Sequence, residues 1–305
     1  MYVKDINTTI NICGVEMKNP VTTASGTFGS GKEYNEFIDI NKLGAVTVKG
    51  VSSKAWKGNN SPRIAETYGG MLNSIGLQNN GVNYFIENDI PFLRNFDTKI
   101  IVNICGHSIN EYCDVAEKLS EADIDLFELN ISCPNVSEGG ITFGTDIMMV
   151  EKVVSEVKKY AKKPLIVKLS PNVTDITEIA RAAVSGGADA LSLINTLLGM
   201  KIDINRRKAI LANKIGGFSG PAIKPVAVRM VYQVSKSVNV PIIGMGGISN
   251  AYDAIEFIMA GATAIAIGTA NFINPYTTIE VIKNIEFYMI ENNIKNLSEI
   301  RGIID

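Results

Sequence analysis

The sequence holds one histidine, His107, among 305 residues. A metal site built on imidazoles has no material here, and a Ser-His-Asp triad could be assembled only around that ring. Cysteine is scarce as well. Cys13, Cys105, Cys113 and Cys133 are too few and too scattered for a disulfide framework, and no Cys-x-x-Cys pair occurs to hold zinc or an iron–sulfur cluster. Neither sign of charge dominates: Lys and Arg number 29 against 31 acids, a net charge of −2. No basic excess exists to neutralise a phosphate backbone or grip an anionic membrane surface. Long apolar runs are missing too, each being cut by Gly, Lys or Asn well before the ~20 residues that a span needs. Met1–Asp5 lacks a charged head followed by an apolar stretch, so no secretory signal is expected. The reading is a cytoplasmic protein that binds neither nucleic acid nor membrane and holds no metal of its own. Acid–base chemistry is left to Cys, Lys, Asp, Glu or Tyr.

What the sequence does contain is alternation. Short β-branched runs at Pro20–Ala24, Ala45–Val48, Ile100–Ile104, Leu126–Asn130, Leu165–Leu169, Ala190–Ile194, Pro241–Met245 and Ala264–Ile267 predict strands. Several are continuously apolar, as strands buried on both faces should be. Helical patterns lie between them at Glu33–Asn41, Asn83–Arg94, Asn110–Glu121, Asp146–Ala161, Asp175–Ser185, Lys224–Ser237 and Ala251–Ala260, with a last one at Thr278–Glu291. Thr174 or Asp175, and Asn250, are suited to N-caps, and Gly186-Gly187 to a helix end. Eight strand–helix units predict a single-domain (β/α)8 TIM barrel over residues 1–305. A doubly wound sheet would want a G-x-G-x-x-G fingerprint, and the glycines at 26, 29 and 31 and at 244, 246 and 247 miss that spacing. Residues 4–17 are expected to form an N-terminal hairpin plugging the bottom of the barrel. Two long insertions, residues 51–80 after the second strand and 195–220 after the sixth, are expected to wall the active face.

Barrel chemistry sits at the C-terminal ends of the strands. Read in order, those positions offer Ser25, Lys49, Asn103, Asn130, Lys168 and Asn195, then Gly246-Gly247 and Gly268-Thr269. The last two glycine turns follow strands seven and eight, where barrels bind phosphate on backbone N–H groups; the alternative is two tight turns with no ligand. Lys168, inside the buried run Leu165–Leu169, should face the barrel mouth, because burying an unpaired ammonium is costly. It could serve as a Schiff-base nucleophile, a structural ion-pair partner, or a cation beside an anion or flavin ring. Lys49 invites the same argument. Two lysines with three asparagines suit an anionic, planar, hydrogen-bonding ligand. Cys133 follows strand four in a loop with Pro134 and Gly139-Gly140. A free thiol has a pKa of about 8.5, which a neighbouring cation could tune toward a base, although a free Cys is more often simple packing. Cys13, Cys105 and Cys113 read as packing, and His107 as structural or loop-exposed.

Five stretches are more specific: Asn73-Ser-Ile-Gly-Leu-Gln-Asn79, Asn130-Ile-Ser-Cys-Pro-Asn-Val136, Gly217-Phe-Ser-Gly-Pro-Ala-Ile-Lys-Pro225, Gly244-Met-Gly-Gly-Ile-Ser249 and Gly261-Ala-Thr-Ala-Ile-Ala-Ile-Gly-Thr-Ala270. Over nearly its whole length the chain resembles the FMN-carrying catalytic subunits of class 1, type B dihydroorotate dehydrogenases. Within that family a Cys in the Ser-Cys-Pro-Asn loop marks class 1. The membrane-bound class 2 enzymes carry Ser there and add an N-terminal extension. Gly76–Asn79 and Ser219–Ala222 resemble type B. Asn80-Gly81 departs from the family's usual Pro-Gly and loses no functional group.

The resemblance implies FMN on the barrel mouth. Its phosphate would lie at Gly246, Gly247, Gly268 and Thr269. Ser25, Lys49, Gly50, Asn103, Asn130, Lys168, Ile194 and Gly220 would line the rest of the flavin. Lys49, Asn73, Ser74, Ile75, Gly76 and Leu77 would hold the substrate ring and carboxylate, together with Asn130, Asn195 and Thr196. Cys133 would remove the C5 proton of dihydroorotate while hydride leaves C6 for the flavin, giving orotate for pyrimidine (UMP) biosynthesis. It also implies a partner subunit carrying FAD and a [2Fe–2S] cluster that passes electrons to NAD, joined to a catalytic homodimer as a heterotetramer. The alternative within the family is the stand-alone type A enzyme, which reduces fumarate. Outside it stand a Schiff-base aldolase using Lys168, which would bind no flavin, and a non-catalytic flavin-binding protein, which dihydroorotate would not bleach.

Overall fold

The computed structural model describes residues 6–131 and 144–305, with the backbone of Ser137–Glu138 and Ile141–Thr142 between them. Eight parallel strands close into a barrel in chain order. They are β1 (Val21–Thr23), β2 (Ala45–Thr47), β3 (Lys99–Ile104), β4 (Leu126–Asn130), β5 (Leu165–Lys168), β6 (Ala190–Leu193), β7 (Ile242–Met245) and β8 (Ala264–Ile267). The continuous apolar runs have the expected cause. Val46, Val102, Phe127, Val167 and Leu191 pack outward against the helices, while the alternate residues Ala45, Ile101, Leu126, Ile166 and Ala190 pack around the axis.

Most helices fall where the periodicity puts them: Ile109–Ser120, Ile147–Lys158, Ile176–Ser185, Lys224–Ser235, Ala251–Met259 and Thr277–Glu291. Asp175 caps its helix by accepting from the Thr177 N–H, and Asn250 by accepting from Asp253. Two helices differ from expectation. Glu33–Asn41 is not one α-helix but two 3-10 turns, Tyr34–Glu36 and Ile40–Lys42. Asp39 divides them: its backbone is extended and its carboxylate takes the Asn41 N–H, which offers the chain an alternative to helical bonding. The helix expected at Asn83–Arg94 forms as Val82–Tyr84, a π-turn at Phe85–Asp89, and Ile90–Leu93. The wide turn lies just before Pro91, whose ring would clash with a regular helix and whose missing N–H would break its ladder.

The expected N-terminal hairpin pairs Ile10–Ile12 with Val15–Met17 through the two-residue turn Cys13-Gly14. Both turn residues have positive φ, 52° and 89°, as a tight hairpin requires. Ile10, Ile12 and Met17 are buried against Ala45, Leu126, Ala190 and Ala264, so the hairpin closes the bottom of the barrel with apolar side chains. The two insertions meet above the opposite end. Ile64–Thr67 and Gly70–Asn73 from the first join Leu197–Met200 and Ile215–Ser219 from the second in one four-stranded antiparallel sheet. Among the described residues, no helix is long and apolar enough to cross a membrane.

Candidate active site

Polarity rises along the barrel axis. Above the apolar floor, the Thr22 and Thr47 hydroxyls meet at 3.1 Å. Level with them, Glu128 on β4 is buried, and one of its carboxylate oxygens accepts from the Ser192 hydroxyl on β6 at 2.8 Å. The next turn of the strands ends in Asn103, Asn130 and Lys168, all buried, with Ser25, Lys49 and Asn195 beside them. This order follows from strand geometry: alternate residues share a face, so Leu126, Glu128 and Asn130 stack along one inward row.

Lys168 is held on two sides. Its Nζ donates to Ser25 Oγ at 3.1 Å and lies 3.9 Å from Glu128 Oε2. The buried ammonium therefore has a carboxylate near it and one flank on the cavity, so the ion-pair and ligand-facing roles coincide. Lys49 differs. Among the described residues no carboxylate lies within ion-pair distance of its ammonium. Burial pushes it below the ordinary lysine range, and Lys168 and Arg63 push the same way. An anionic ligand would relieve that cost.

These groups open into a cavity of about 620 Å³, the size of small-molecule sites in general. Ser25, Lys49, Gly50, Asn103, Asn130 and Lys168 line it from the strand ends. Ile194, Gly220, Gly246, Gly247, Gly268 and Thr269 line it from the turns after β6, β7 and β8. Asn73, Ser74, Ile75, Gly76 and Leu77 from the first insertion, with Asn195 and Thr196 at the start of the second, complete the wall. Every described residue singled out in the sequence for cofactor or substrate thus borders one space. Cys133 lies outside the described residues. Ile131, Gly144 and Thr145, the nearest fully described residues in sequence on either side, line the cavity.

The glycine turns are compact. Gly247 has φ of 80°, and a Cβ there would sit 2.8 Å from the Gly220 carbonyl oxygen. Gly220 has φ of 113°, and a Cβ there would meet Gly70 at 2.5 Å. Neither position admits a side chain, so main chain itself forms this wall. Two buried polar atoms on the cavity residues, Asn103 Oδ1 and Ser74 Oγ, have no hydrogen-bond partner among the described residues. Such atoms cost free energy unless something pairs with them.

The model of the family described as "Dihydroorotate dehydrogenase" matches residues 7–289. The chain belongs to the dihydroorotate dehydrogenase family. Curated relatives agree over nearly full length. A protein of Alkaliphilus metalliredigens is 69% identical over 97% of this chain and 98% of its own. One of Lachnoclostridium phytofermentans is 66% identical over 98% of this chain and 100% of its own. One of Desulforamulus reducens is 55% identical over 97% and 98%. Each of these dihydroorotate dehydrogenase relatives is named "Dihydroorotate dehydrogenase B (NAD(+)), catalytic subunit".

Among the residues that the sequence did not single out, Glu128, Asn172 and Asn59 shape the site most directly. Glu128 had a signal, an acid in phase with Leu126 and Asn130 inside an apolar strand. Asn172 and Asn59 had none. Asn172 donates to the Thr196 carbonyl at 3.0 Å and accepts from the Leu198 N–H, fixing the start of the second insertion. Asn59 donates to the Ser74 carbonyl at 3.1 Å and does the same for the first. Conversely, His107 does not border the cavity. Its ring packs on Trp56 with centroids 3.9 Å apart, and its Nδ1 lies 3.5 Å from Glu111, four residues on. Burial and Asp189 push the Cys13 thiol up to about 11, and its Sγ contacts the Asp189 carbonyl at 3.1 Å, a packing role.

Proposed function

We propose that this chain, as one catalytic domain over residues 1–305, oxidises (S)-dihydroorotate to orotate in the cytoplasm, for UMP synthesis. FMN, when bound, supplies the acceptor for the hydride that leaves C6. The observation that carries this reading is the convergence of two lysines, the asparagine amides and the glycine turns after β7 and β8 on one cavity. The donor set fits a flavin mononucleotide. The turns at Gly246, Gly247, Gly268 and Thr269 give main-chain N–H groups for a phosphate. The unpartnered Asn103 Oδ1 gives an acceptor for a ring N–H. Ser25, Lys49, Gly50, Asn130, Ile194 and Gly220 enclose the remainder.

The chain's own groups then have distinct tasks. Lys49 and the amides of Asn73, Asn130 and Asn195 hold the substrate carboxylate and ring, with Ser74, Ile75, Gly76, Leu77 and Thr196 shaping the pocket. Cys133, as thiolate, takes the C5 proton. Lys168 places a fixed positive charge where electron density accumulates during the reaction.

Lys49→Met separates binding from stability. The variant should raise the KM for dihydroorotate about tenfold or more, the worth of a lost charged hydrogen bond. It should also raise the Tm of the flavin-free protein, because burial disfavours the Lys49 ammonium. A depressed folded-state pKa destabilises the fold at all pH values below it, so the gain should be full at neutral pH and vanish above about pH 10.4, the unfolded lysine value. An unchanged KM would remove Lys49 from the substrate site.

Two electrons must leave after each turnover. The sequence offers no dinucleotide fingerprint and no Cys-x-x-Cys spacing. We infer that a partner subunit with FAD and a [2Fe–2S] cluster relays them to NAD, the two chains forming a heterotetramer around a catalytic homodimer. The names of the relatives, with NAD(+) and "catalytic subunit", support this over the fumarate-reducing alternative. The purified chain alone should reduce NAD poorly and gain that activity with the cluster-bearing partner. Robust NAD reduction, or fumarate turnover, by the isolated chain would contradict it.

A further inference from the structure

We propose that Glu128 is a positioning residue for the flavin site, acting through Asn103 and Lys168; this rests on the FMN reading above. Glu128 sits one layer below the cavity and does not border it. It is buried on β4, yet its two oxygens reach three other strands. Oε2 accepts from Asn103 Nδ2 on β3 at 2.5 Å and lies 3.9 Å from Lys168 Nζ on β5. Oε1 accepts from Ser192 Oγ on β6 at 2.8 Å. A carboxylate offers acceptors only, so the Asn103 amide must turn its NH2 down toward it. Its Oδ1 is thereby left without a partner among the described residues, beside Gly50 at the cavity wall. Glu128 thus selects which end of the Asn103 amide serves the ligand, and the end it selects requires an N–H on the ring. Among the described residues, the same oxygen is the carboxylate within ion-pair distance of Lys168, so it tempers the positive charge that the flavin meets.

Neither role needs Glu128 to touch flavin, and neither is expected of an acid that only fills the barrel. A buried unpaired carboxylate would be costly, and a hydrophobic residue would fill the volume more cheaply.

The test is Glu128→Gln in the FMN-loaded protein, with two readouts besides turnover. Gln keeps the shape but carries no charge, and its single oxygen can face either Asn103 Nδ2 or Ser192 Oγ, whose hydroxyl can also accept; Asn103 thus loses its charged acceptor and the fixed orientation that goes with it. FMN should dissociate about tenfold or more readily, the effect of one lost charge-assisted hydrogen bond. The midpoint potential of the bound flavin should move to more positive values, because a negative charge 3.9 Å from Lys168 is removed. Glu128→Asp keeps the charge, so it should restore most of the potential while leaving the affinity weakened. Should Glu128→Gln fail to fold, Glu128→Asp carries the test through its weakened FMN affinity. Wild-type affinity and wild-type potential in Glu128→Gln, or wild-type affinity in Glu128→Asp when only that variant folds, would overturn the proposal and leave the FMN reading intact. Failure of the unmutated chain to bind FMN would overturn both.

Discussion

Cys133→Ser should retain FMN and slow the reduction of the flavin by dihydroorotate by roughly 10²–10⁴-fold, the usual worth of a general base. Exchanging sulfur for oxygen changes little volume, so the fold and the cofactor should survive. The chemistry should not survive. A thiol with an ordinary pKa of about 8.5 yields a useful fraction of thiolate near neutrality, whereas a serine hydroxyl is far less acidic. Wild-type reduction should rise with pH through the thiol ionisation, and the profile of the variant should move to higher pH. The cations nearest the proposed substrate position are Lys49 and Lys168, which line the cavity that Ile131 and Thr145 also border. Stopped-flow bleaching at saturating dihydroorotate across pH measures this directly. Equal rates for Cys133→Ser and wild type at neutral pH would make Cys133 packing and move the base elsewhere.

Lys168→Ala should be the most damaging change on the described strands. It removes the cation proposed to sit beside the flavin, an electrostatic loss worth roughly 10²–10³ in the reduction rate. It also leaves Glu128 in the barrel interior without the ammonium 3.9 Å away. Breaking one side of a buried pair costs about 3–5 kcal/mol, so the Tm should fall together with flavin content. Lys168→Ala with the additional change Glu128→Gln should recover part of the stability, since the orphaned charge is gone, and none of the rate. Wild-type flavin content with a wild-type reduction rate in Lys168→Ala would contradict the role assigned to Lys168.

The parts of the fold legible in the sequence are those with a local cause. Barrel strands were most readable where burial on both faces forces a continuous apolar run such as Ala264–Ile267. The helices were readable where an Asn or Asp cap precedes an amphipathic stretch, as at Asn250 and Asp175. What was hidden depends on distant partners or on one residue overriding a pattern. The apolar periodicity of Glu33–Asn41 gave no warning that Asp39 would take the Asn41 N–H and split it. That the two insertions share one sheet is a contact between residues such as Gly217 and Asn73, more than a hundred positions apart.

The site divides in the same way. A lysine or asparagine closing a buried strand must point somewhere polar, so Lys49, Asn103, Asn130 and Lys168 could be found from the pattern alone. The residues assigned through family resemblance, such as Ser74, Ile75 and Thr196, carry no such signature. Asn172 and Asn59 hold loops by hydrogen bonds to main chain, and nothing in their neighbourhood in sequence foretells it. Glu128 was visible as an anomaly in Leu126–Asn130, but its significance lies in its partners on three other strands.

The most direct test of the whole account is anaerobic titration of the purified chain with dihydroorotate, followed in its visible spectrum. The account predicts a yellow protein with FMN bound in one-to-one proportion, whose visible band bleaches on adding dihydroorotate, with orotate appearing in matching amount. A colourless preparation that takes up no FMN, or a flavin spectrum left unchanged by dihydroorotate, would contradict it.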